Sequence, residues 1–402
     1  MSTLESPSAG AVTEQELIDR AHALKPLLAR NAKDVDEGRR IVDENLAALE
    51  EAGLFRITVP RRFGGYEVSL ATKLAVSAAL GEACGSTAWV TTLLNVCSWF
   101  TGLYSEQAQR DVWGADPNAR VCGVLTPSAQ ARKVEGGYEI TGQWGYASGC
   151  LHAQWAGLGT PLTDDTGEVI GQGLALIPMT DLRIEDTWFV AGMRGTASNT
   201  LHADGVFVPS HRILDVPRAL QHDYPTEHKD EVLYRTSFIP VLVLVLAGPQ
   251  VGMARGVLNT VIEKAPKRNI AYTIFERQTD STTFQDAVSD AAMHVETAAL
   301  HTFRAAADID AAAQRGEPMD YLARARVRAD TGWAIRHARQ AIDDLISANG
   351  ASSFAEVSPI QRLWRDSNTA GRHAVILPSV NMEVYGKALL GIPYEDNITP
   401  LI

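Results

Sequence analysis

The chain has 402 residues, of which 46% are hydrophobic and 21% charged, and its formal net charge is −12. That length is sufficient for two or three domains with a large buried core, and the composition is that of an ordinary globular protein. An acidic chain without a basic block is a poor candidate for binding nucleic acid or an anionic membrane, so neither partner is expected.

Signals for membrane insertion and for export are also weak. The longest apolar run, residues 239–248, is shorter than the roughly 20 residues that a helix needs to cross a bilayer, so it predicts a buried helix. The N-terminal residues lack a basic segment followed by an apolar core, and no signal peptide is expected. The four cysteines show neither paired spacing nor metal-ligand spacing. We expect reduced structural thiols in a cytoplasmic protein without a metal site.

The first part of the chain predicts a tail followed by a helical domain. Residues 1–12 are small and polar, which predicts disorder. Helical spacing of apolar residues begins at Thr13 and stops at Gly53, and a turn-rich connection follows. Two buried helices broken near the string CGST come next, then a short amphipathic helix over residues 105–114. The first domain is therefore assigned to residues 13–118.

A central β-domain is predicted over residues 119–214. Short runs rich in Val, Leu, Ile, Trp and Tyr alternate there with Gly, Asp, Pro and Thr clusters, a pattern typical of short antiparallel strands in a barrel or sandwich. Residues 215–230 are irregular and form either a connection or a lid over a site. Residues 231–402 predict a C-terminal four-helix bundle whose last helix spans residues 359–391. The fold class is α+β, with the β-domain between two helical domains.

Seven short strings occur in an order that points to a family. No single string is specific, but together they extend over most of the chain. They are PRRFGG (60–65), ACGSTAW (83–89), VLTPSAQA (124–131), GQWGYASG (142–149), GMRGTASN (192–199), VFVP (206–209) and PIQRLWRDS (359–367). With the order helix, β-domain, helix, the chain resembles the acyl-CoA dehydrogenase fold. That resemblance also implies a homotetramer.

The chain departs from the dehydrogenases at one position. Their catalytic Glu, followed by Gly, lies shortly after an Arg-Asp pair, whereas here Arg365-Asp366 is followed by SNTAGRHAVIL, with His373 and Ala374 in that neighbourhood. Without a carboxylate there, removal of an α-proton from a thioester is not expected. The strings ACGSTAWV, QWGYASGCLHAQW and WRDSNTAGRHA instead resemble the two-component flavin-dependent monooxygenases built on the same fold.

The resemblance implies an enzyme, the oxygenase component of a two-component system. It would use molecular oxygen and reduced FAD or FMN that diffuses from a separate flavin reductase. The absence of a GxGxxG nicotinamide fingerprint fits that division of labour. A flavin hydroperoxide would hydroxylate an aromatic or indolic substrate, in aromatic or natural-product metabolism such as antibiotic biosynthesis.

The resemblance also assigns site residues. His373, expected on a helix that faces the flavin, would accept a proton from a phenol or an indole N–H, or donate to the peroxide. Ser148 would donate to the reactive ring nitrogen or to the peroxide. Trp144, Tyr146 and Ser148 alternate along a predicted strand, which would place all three on the face that packs against the flavin. The other flavin-binding candidates are Leu125, Thr126, Ala147, Trp188, Arg277, Asn349 and Gly350, and the substrate-binding candidates are Asn95, Trp99, Trp144 and His373.

Structural explanations compete with several of these roles. A half-buried strand would explain the alternation at residues 144–148, and a turn set by Pro127 would explain Leu125 and Thr126. Core packing would explain Trp188, as well as Asn95 and Trp99, which lie four apart on one helix face. For His373, the alternative is a capping or core histidine.

Two further candidates depart from the family pattern. Arg277 lacks the aromatic residue that usually follows it in the dehydrogenases. The string ASSF after Asn349 and Gly350 replaces most glycines of a loop that lies over the adenine portion of FAD in the family. Backbone N–H groups at such loops bind phosphate whichever side chains are present. The replacement favours a flavin that binds and leaves over one that is held tightly.

Three other functions remain open. An amino-sugar N-oxygenase would have a polar pocket lined by carboxylates. An acyl-CoA dehydrogenase with a displaced catalytic base would bind oxidised FAD tightly and turn over acyl thioesters without a reductase. A scaffold that binds a ligand and performs no chemistry would not respond to reduced flavin.

Overall fold

The computed structural model describes residues 12–402. The tail predicted at residues 1–12 therefore lies outside the described residues, except for residue 12. The chain begins with helices. Thr13 caps the first of them, because its hydroxyl accepts from the Glu16 N–H at 3.2 Å while its own N–H donates to the Glu16 carboxylate at 2.6 Å. The N-terminal helices are α1 (Glu14–Ala23), α2 (Lys25–Gly38), α3 (Asp43–Glu51), α4 (Leu70–Gly81), α5 (Gly85–Thr101) and α6 (Glu106–Trp113).

The helix breaks follow local signals in the sequence. Pro26 lies in the first turn of α2, and Arg39 ends that helix in the left-handed conformation, with φ 53°. The break predicted near CGST separates α4 from α5, and the short helix predicted over residues 105–114 is α6. Nearly every residue of α5 is buried, so this helix runs through the centre of the N-terminal half.

The β-region is a sandwich of two four-stranded sheets and not a closed barrel. One sheet has the order β1-β4-β5-β8 and the other the order β2-β3-β7-β6. Inside the sandwich, the Trp144 indole N–H donates to the Gly159 carbonyl at 2.7 Å, which ties the two sheets together. The strands are β1 (Val121–Val124), β2 (Ala129–Val134), β3 (Gly137–Ala147), β4 (Trp155–Thr163), β5 (Val169–Pro178), β6 (Arg183–Glu185), β7 (Asn199–Pro209) and β8 (Ile213–Asp215).

The sheets are antiparallel, as predicted, apart from one parallel strand pair. β1 and β4 run in the same direction, with Val121 opposite Trp155. Between them the chain crosses to the other sheet, forms the β2–β3 hairpin and returns, so β4 enters beside β1 from the same end. The return segment contains Ser148 and Gly149, which places these residues between the two sheets and the helices.

The C-terminal part is helical. Helices α9, α10 and α11 pack against one another, α12 packs on α9 and α11, and α13 packs on α11. The connection before them is anchored over the end of α5, because the Thr226 N–H donates to the Leu103 carbonyl at 3.0 Å. The helices are α7 (Val216–Leu220), α8 (Phe238–Leu244), α9 (Ala247–Lys264), α10 (Thr282–Arg315), α11 (Tyr321–Asn349), α12 (Pro359–Ala370) and α13 (Pro378–Leu389).

The apolar run at residues 239–248 is a buried helix, as predicted. α8 and α9 form a nearly continuous helical segment, Phe238–Lys267, which contains an 18-residue window with a mean hydropathy of 1.7. By length and composition alone this segment is long enough to cross a bilayer. However, 83% of that apolar window is buried inside the protein, so the segment is the core of the bundle.

The last predicted helix is divided into two. α12 ends before Gly371, and Pro378 begins α13, because proline is favoured in the first turn of a helix and restricts the residue before it. His373 lies in the loop between the two helices, with extended backbone angles (φ −59°, ψ 136°). The expectation that His373 lies on a helix is therefore wrong, although the loop is short and held at both ends.

Candidate active site

His373, in the loop after α12, lies beside Trp89 of α5. The centroids of the two rings are 5.9 Å apart and the ring planes are inclined by 58°. His373 is exposed on the described chain, but neighbouring protein atoms partly desolvate its imidazole. This desolvation lowers the pKa of His373 below its ordinary value of 6.5. The imidazole is therefore neutral near pH 7 and able to accept a proton.

The same part of α5 also contacts the end of β3. A Cβ atom on Gly149 would lie 3.2 Å from Val90 Cγ1, so Gly149 approaches α5 closely. Gly149 has φ 76°, a conformation that favours glycine. α5 therefore contacts the His373 loop through Trp89 and the Ser148–Gly149 turn through Val90.

The three residues predicted to share a strand face do not do so. Pairing between β3 and β7 shifts between Trp144 and Ala147, and Tyr146 has a left-handed backbone with φ 63°. Such an irregularity interrupts the alternation of side chains. As a result Trp144 is buried, Tyr146 is 75% exposed, and Ser148 lies just beyond the strand with 7% exposure. Ala147, the last strand residue, is fully buried.

Tyr146 and Trp188 form an aromatic surface next to this turn. Their ring centroids are 5.7 Å apart in an edge-to-face arrangement, with the planes at 75°. The Trp188 indole N–H donates to the Met193 carbonyl at 2.8 Å, which fixes the orientation of the half-buried indole. A planar ligand can pack against this pair because most of the tyrosine ring is not covered by the protein.

Three hydroxyl groups connect Ser148 to the same carbonyl. Ser148 Oγ lies 2.7 Å from Ser198 Oγ, and Ser198 Oγ lies 2.6 Å from Thr196 Oγ1. The Thr196 hydroxyl donates to the Met193 carbonyl at 2.9 Å. The Met193 peptide therefore holds both Trp188 and the hydroxyl chain that ends at Ser148.

Asp366 holds the other side of the Met193 peptide. Its Oδ1 accepts a hydrogen bond from the Met193 N–H at 2.5 Å. The carboxyl group is buried, and burial raises its pKa from 3.8 to about 6. Beside it, the Arg365 guanidinium donates to the Ala191 carbonyl and pairs with Asp36 at 2.9 Å. α12 thus fixes the turn at residues 191–196 against the N-terminal helices.

Leu125 and Thr126 lie in the loop after β1 and not within the strand. The Leu125 carbonyl accepts from the Gln172 side-chain amide at 2.7 Å. A Cβ atom on Gly159 would lie 2.2 Å from the Leu125 oxygen, so β4 and this loop are in close backbone contact. A groove of about 990 Å³ begins directly after the loop, at Pro127, and runs along the outer face of the second sheet past Arg183.

Comparison with known proteins gives the family. The family models "Acyl-CoA dehydrogenase, N-terminal domain" and "Acyl-CoA dehydrogenase, C-terminal domain" match residues 13–116 and 244–378. The oxygenase subunit HsaA of a flavin-dependent monooxygenase from Rhodococcus jostii (strain RHA1) is 34% identical over 95% of this chain and 100% of that protein. The oxygenase component of an FADH(2)-dependent resorcinol hydroxylase from Rhizobium sp. (strain MTP-10005) is 31% identical over 94% of each. The solved structure of XiaF from Streptomyces sp., in complex with FADH2 and glycerol, matches with a TM-score of 0.90 at 34% identity, covering 96% of this chain and 97% of that one.

The chain is a flavin-dependent monooxygenase with the acyl-CoA dehydrogenase fold. In this monooxygenase the carboxylate nearest in sequence to His373 is Asp366, which is buried and occupied by the Met193 N–H. It is therefore not free to remove a proton from a substrate. The loop at residue 373 offers a neutral imidazole instead.

Three substrate-binding candidates of the monooxygenase lie in its core, which corrects their prediction. The Asn95 amide is fully buried and donates to the carbonyls of Leu54 and Thr91 at 2.8 and 2.9 Å. The Trp99 indole N–H donates to the Leu233 carbonyl at 3.1 Å. The Trp144 indole is buried inside the sandwich. Their polar groups are satisfied internally, so none of the three side chains lines an open site.

The remaining flavin-binding candidates lie around the ends of the bundle helices. Asn349 is buried, accepts from Arg268 at 2.8 Å and donates to Ser353 at 2.6 Å, while Gly350 has φ 81°. Arg277 is exposed and paired with Asp280 at 2.9 Å. Among the described contacts, none joins Asn349, Gly350 or Arg277 to the Ser148 turn or the His373 loop.

Sequence reasoning missed four residues that organise this site: Trp89, Met193, Thr196 and Ser198. Each lies inside a string quoted for the family resemblance, either ACGSTAW or GMRGTASN. In the structure, the GMRGTASN segment is marked by two left-handed, non-glycine residues, Met193 (φ 57°) and Ala197 (φ 46°). Such conformations concentrate at functional sites, but they are not legible in a sequence.

Gly192 provides a test of how tightly the 191–196 turn packs. A Cβ atom there would lie 2.2 Å from the Arg365 carbonyl oxygen and 2.6 Å from Thr369 Oγ1. We expect Gly192→Ala to destabilise the protein by about 1–3 kcal/mol, the usual cost of overpacking. Gly386→Ala on α13 is the control, because nothing lies within 4 Å of its Cβ and alanine favours the helix. Thermal unfolding of both variants would be compared, and equal midpoints would contradict the close approach.

Proposed function

We propose that this monooxygenase is the oxygenase component of a two-component system that hydroxylates an aromatic or indolic substrate. It uses molecular oxygen and reduced FAD or FMN, which reaches it by diffusion from a separate flavin reductase. A role in aromatic or natural-product metabolism, including antibiotic biosynthesis, is part of the proposal. So is a cytoplasmic location, which the four buried, free cysteines support.

The observation that carries the proposal is that a neutral imidazole and the turn that begins a hydroxyl chain both contact α5. His373 contacts Trp89, and the turn that contains Ser148 contacts Val90. The proposed acid–base group and the turn that carries the proposed polar contact for the flavin are thereby both held against α5. The resorcinol hydroxylase named above, whose substrate is a phenol, supports an aromatic substrate for this chain.

The residues present fit a flavin. Tyr146 and Trp188 offer a largely uncovered aromatic surface for a planar ring, and Ser148 offers a polar contact at its edge. The loop at Leu125 and Thr126 supplies backbone groups for the pyrimidine side of the ring.

Reduced flavin, held against Tyr146, Trp188 and Ser148, would supply the chemistry that activates dioxygen for hydroxylation of the substrate. The protein's part is to hold the substrate and to move its proton. His373 accepts the proton from a phenol O–H or an indole N–H, which makes the ring carbon a better nucleophile. Trp89 packs beside the imidazole, with the two ring centroids 5.9 Å apart.

We also propose that the protein works as a homotetramer. The loop between α9 and α10 exposes Tyr272 and Ile274 almost completely, with relative exposures of 109% and 91%. Exposed apolar groups of this size support contact with a second copy of the chain. Arg277, at the end of the same loop, and the Asn349–Gly350 turn are the groups that we propose for the distal part of the flavin.

The test is stopped-flow absorbance with the apoprotein. The protein is mixed anaerobically with reduced FAD or FMN and then with oxygenated buffer. We expect reoxidation to be slower than for free flavin, with a transient near-ultraviolet band that Ser148→Ala shortens. Ser347→Ala, an exposed serine on α11, is the control and should behave as wild type. Reoxidation of the wild type at the rate of free flavin would refute the proposal, and acyl thioesters would then be tried with oxidised FAD.

A further inference from the structure

The hydroxyl chain from Ser148 to Met193 is closed at one end by a group that only accepts hydrogen bonds. The Met193 carbonyl receives the Thr196 hydroxyl at 2.9 Å and the Trp188 indole N–H at 2.8 Å. Thr196, Ser198 and Ser148 are 1%, 4% and 7% exposed. Water therefore has little access to the chain, and the three hydroxyls satisfy one another.

The carbonyl sets the direction of every bond in the chain, because a hydroxyl has a single proton to donate. Thr196 donates to Met193, so it must accept from Ser198. Ser198 then has no proton left for its other neighbour and must accept from Ser148. Ser148 is consequently a donor towards Ser198, and only its lone pairs are available to a ligand.

The backbone around the chain is fixed, which keeps this direction from reversing easily. The Gly149 N–H donates to the Thr196 carbonyl at 2.9 Å, so the turn that contains Ser148 is bonded to the turn that contains Thr196. Met193 and Ala197 are held in left-handed conformations, with φ 57° and 46°. Non-glycine residues persist in this region only where the surrounding structure enforces it.

We propose that Thr196 and Ser198 are positioning residues that make Ser148 a hydrogen-bond acceptor towards the flavin ring, and so make the site selective for reduced over oxidised flavin. In reduced flavin the central ring nitrogen N5 carries a hydrogen and donates. In oxidised flavin the same nitrogen has no hydrogen and only accepts, so it would face the lone pairs of Ser148. This inference rests on the proposed function, and it replaces the earlier expectation that Ser148 donates to the ring.

Selectivity of this kind has a use in an enzyme that shares its flavin with a reductase. Reduced flavin is retained while the reaction proceeds, and oxidised flavin is released because its N5 finds no donor. A buried acceptor facing an acceptor loses a hydrogen bond without any compensating contact with water.

The experiment measures binding and not turnover. Dissociation constants for reduced and oxidised FAD are determined under anaerobic conditions for the wild type and for Thr196→Val, which keeps the shape but removes the hydroxyl. With no hydroxyl at 196, Ser198 is free to donate to Ser148, and Ser148 can donate to the flavin. We expect the ratio Kd(oxidised)/Kd(reduced) to fall about tenfold, equivalent to about 1.4 kcal/mol. Thr196→Ser keeps the hydroxyl and should retain the wild-type ratio.

Ser198→Ala provides a second, independent variant, because it also frees the Ser148 proton while leaving Thr196 bonded to Met193. Thermal unfolding confirms that each variant is folded before binding is measured. An unchanged ratio in folded Thr196→Val and Ser198→Ala would overturn the inference but leave the proposed function intact. Failure of the wild type to bind either form of the flavin would overturn the proposed function itself.

Discussion

Replacing His373 with Ala is expected to slow substrate hydroxylation by about 10²- to 10⁴-fold, the range typical of a lost acid–base group, while reduced flavin still binds. The imidazole is the proposed acceptor for the substrate proton, whereas the proposed flavin contacts lie at Tyr146, Ser148 and Trp188. Product formation and flavin affinity would be measured separately. His22→Ala, on the exposed face of α1, is the control and should retain full activity.

The pH dependence of the reaction distinguishes this role from a structural one. Desolvation lowers the pKa of His373 below 6.5. The neutral imidazole accepts a proton, so activity should be complete near pH 7 and should fall as the pH drops through that lowered pKa. In His373→Ala this acid limb should disappear together with the rate. If the variant kept the wild-type rate and the same acid limb, His373 would have no part in proton transfer.

Replacing Asp366 is expected to have the largest effect on stability, with opposite results for two variants. Asp366→Ala leaves the buried Met193 N–H without an acceptor and opens a cavity, at a cost of about 2–4 kcal/mol. Asp366→Asn keeps an oxygen for that N–H and removes the buried charge. It should therefore be at least as stable as the wild type at pH 7. Thermal unfolding midpoints, measured across pH, separate the two.

The sign of the pH dependence follows from the raised pKa of Asp366. Burial raises this pKa from 3.8 to about 6, so between these values the folded state binds more protons than the unfolded state. The contribution of this carboxyl to stability must fall as the pH rises through that window, by about 3 kcal/mol in all. Asp366→Asn should lack this slope. An identical pH profile in the two proteins would show that the carboxyl is not desolvated.

The parts of the fold that follow local signals could be predicted from the sequence, and the long-range pairings could not. Caps and glycines set the ends of α4, α5 and α6, and these helices lie where the pattern places them. The parallel pairing of β1 with β4 depends on the path of the chain through the other sheet, which no short string records. The break before Pro378 was missed, although Gly371 and that proline both mark helix ends in the sequence.

The site residues that belong to a family motif could be predicted, whereas those inferred only from the spacing of residues could not. His373 and Ser148 came from the family resemblance, and the structure brings both to α5. Asn95 and Trp99 were misplaced because α5 is buried on all sides, so helical spacing cannot separate a pocket face from a core face. The predicted alternation of Trp144, Tyr146 and Ser148 on one strand face is wrong because Tyr146 has a left-handed backbone. That conformation depends on tertiary contacts, which the spacing of residues does not reveal.

The backbone conformation of the loop between α12 and α13 does not depend on the side chain at position 373. The loop is closed by the His373 N–H donating to the Ala370 carbonyl and the Ile376 N–H donating to the His373 carbonyl, each at 3.0 Å. Neither bond involves the side chain at position 373, and the helices on both sides have their own start and stop residues. Evolution can therefore change the reacting group at this position, and with it the reaction, without refolding the bundle that supports it.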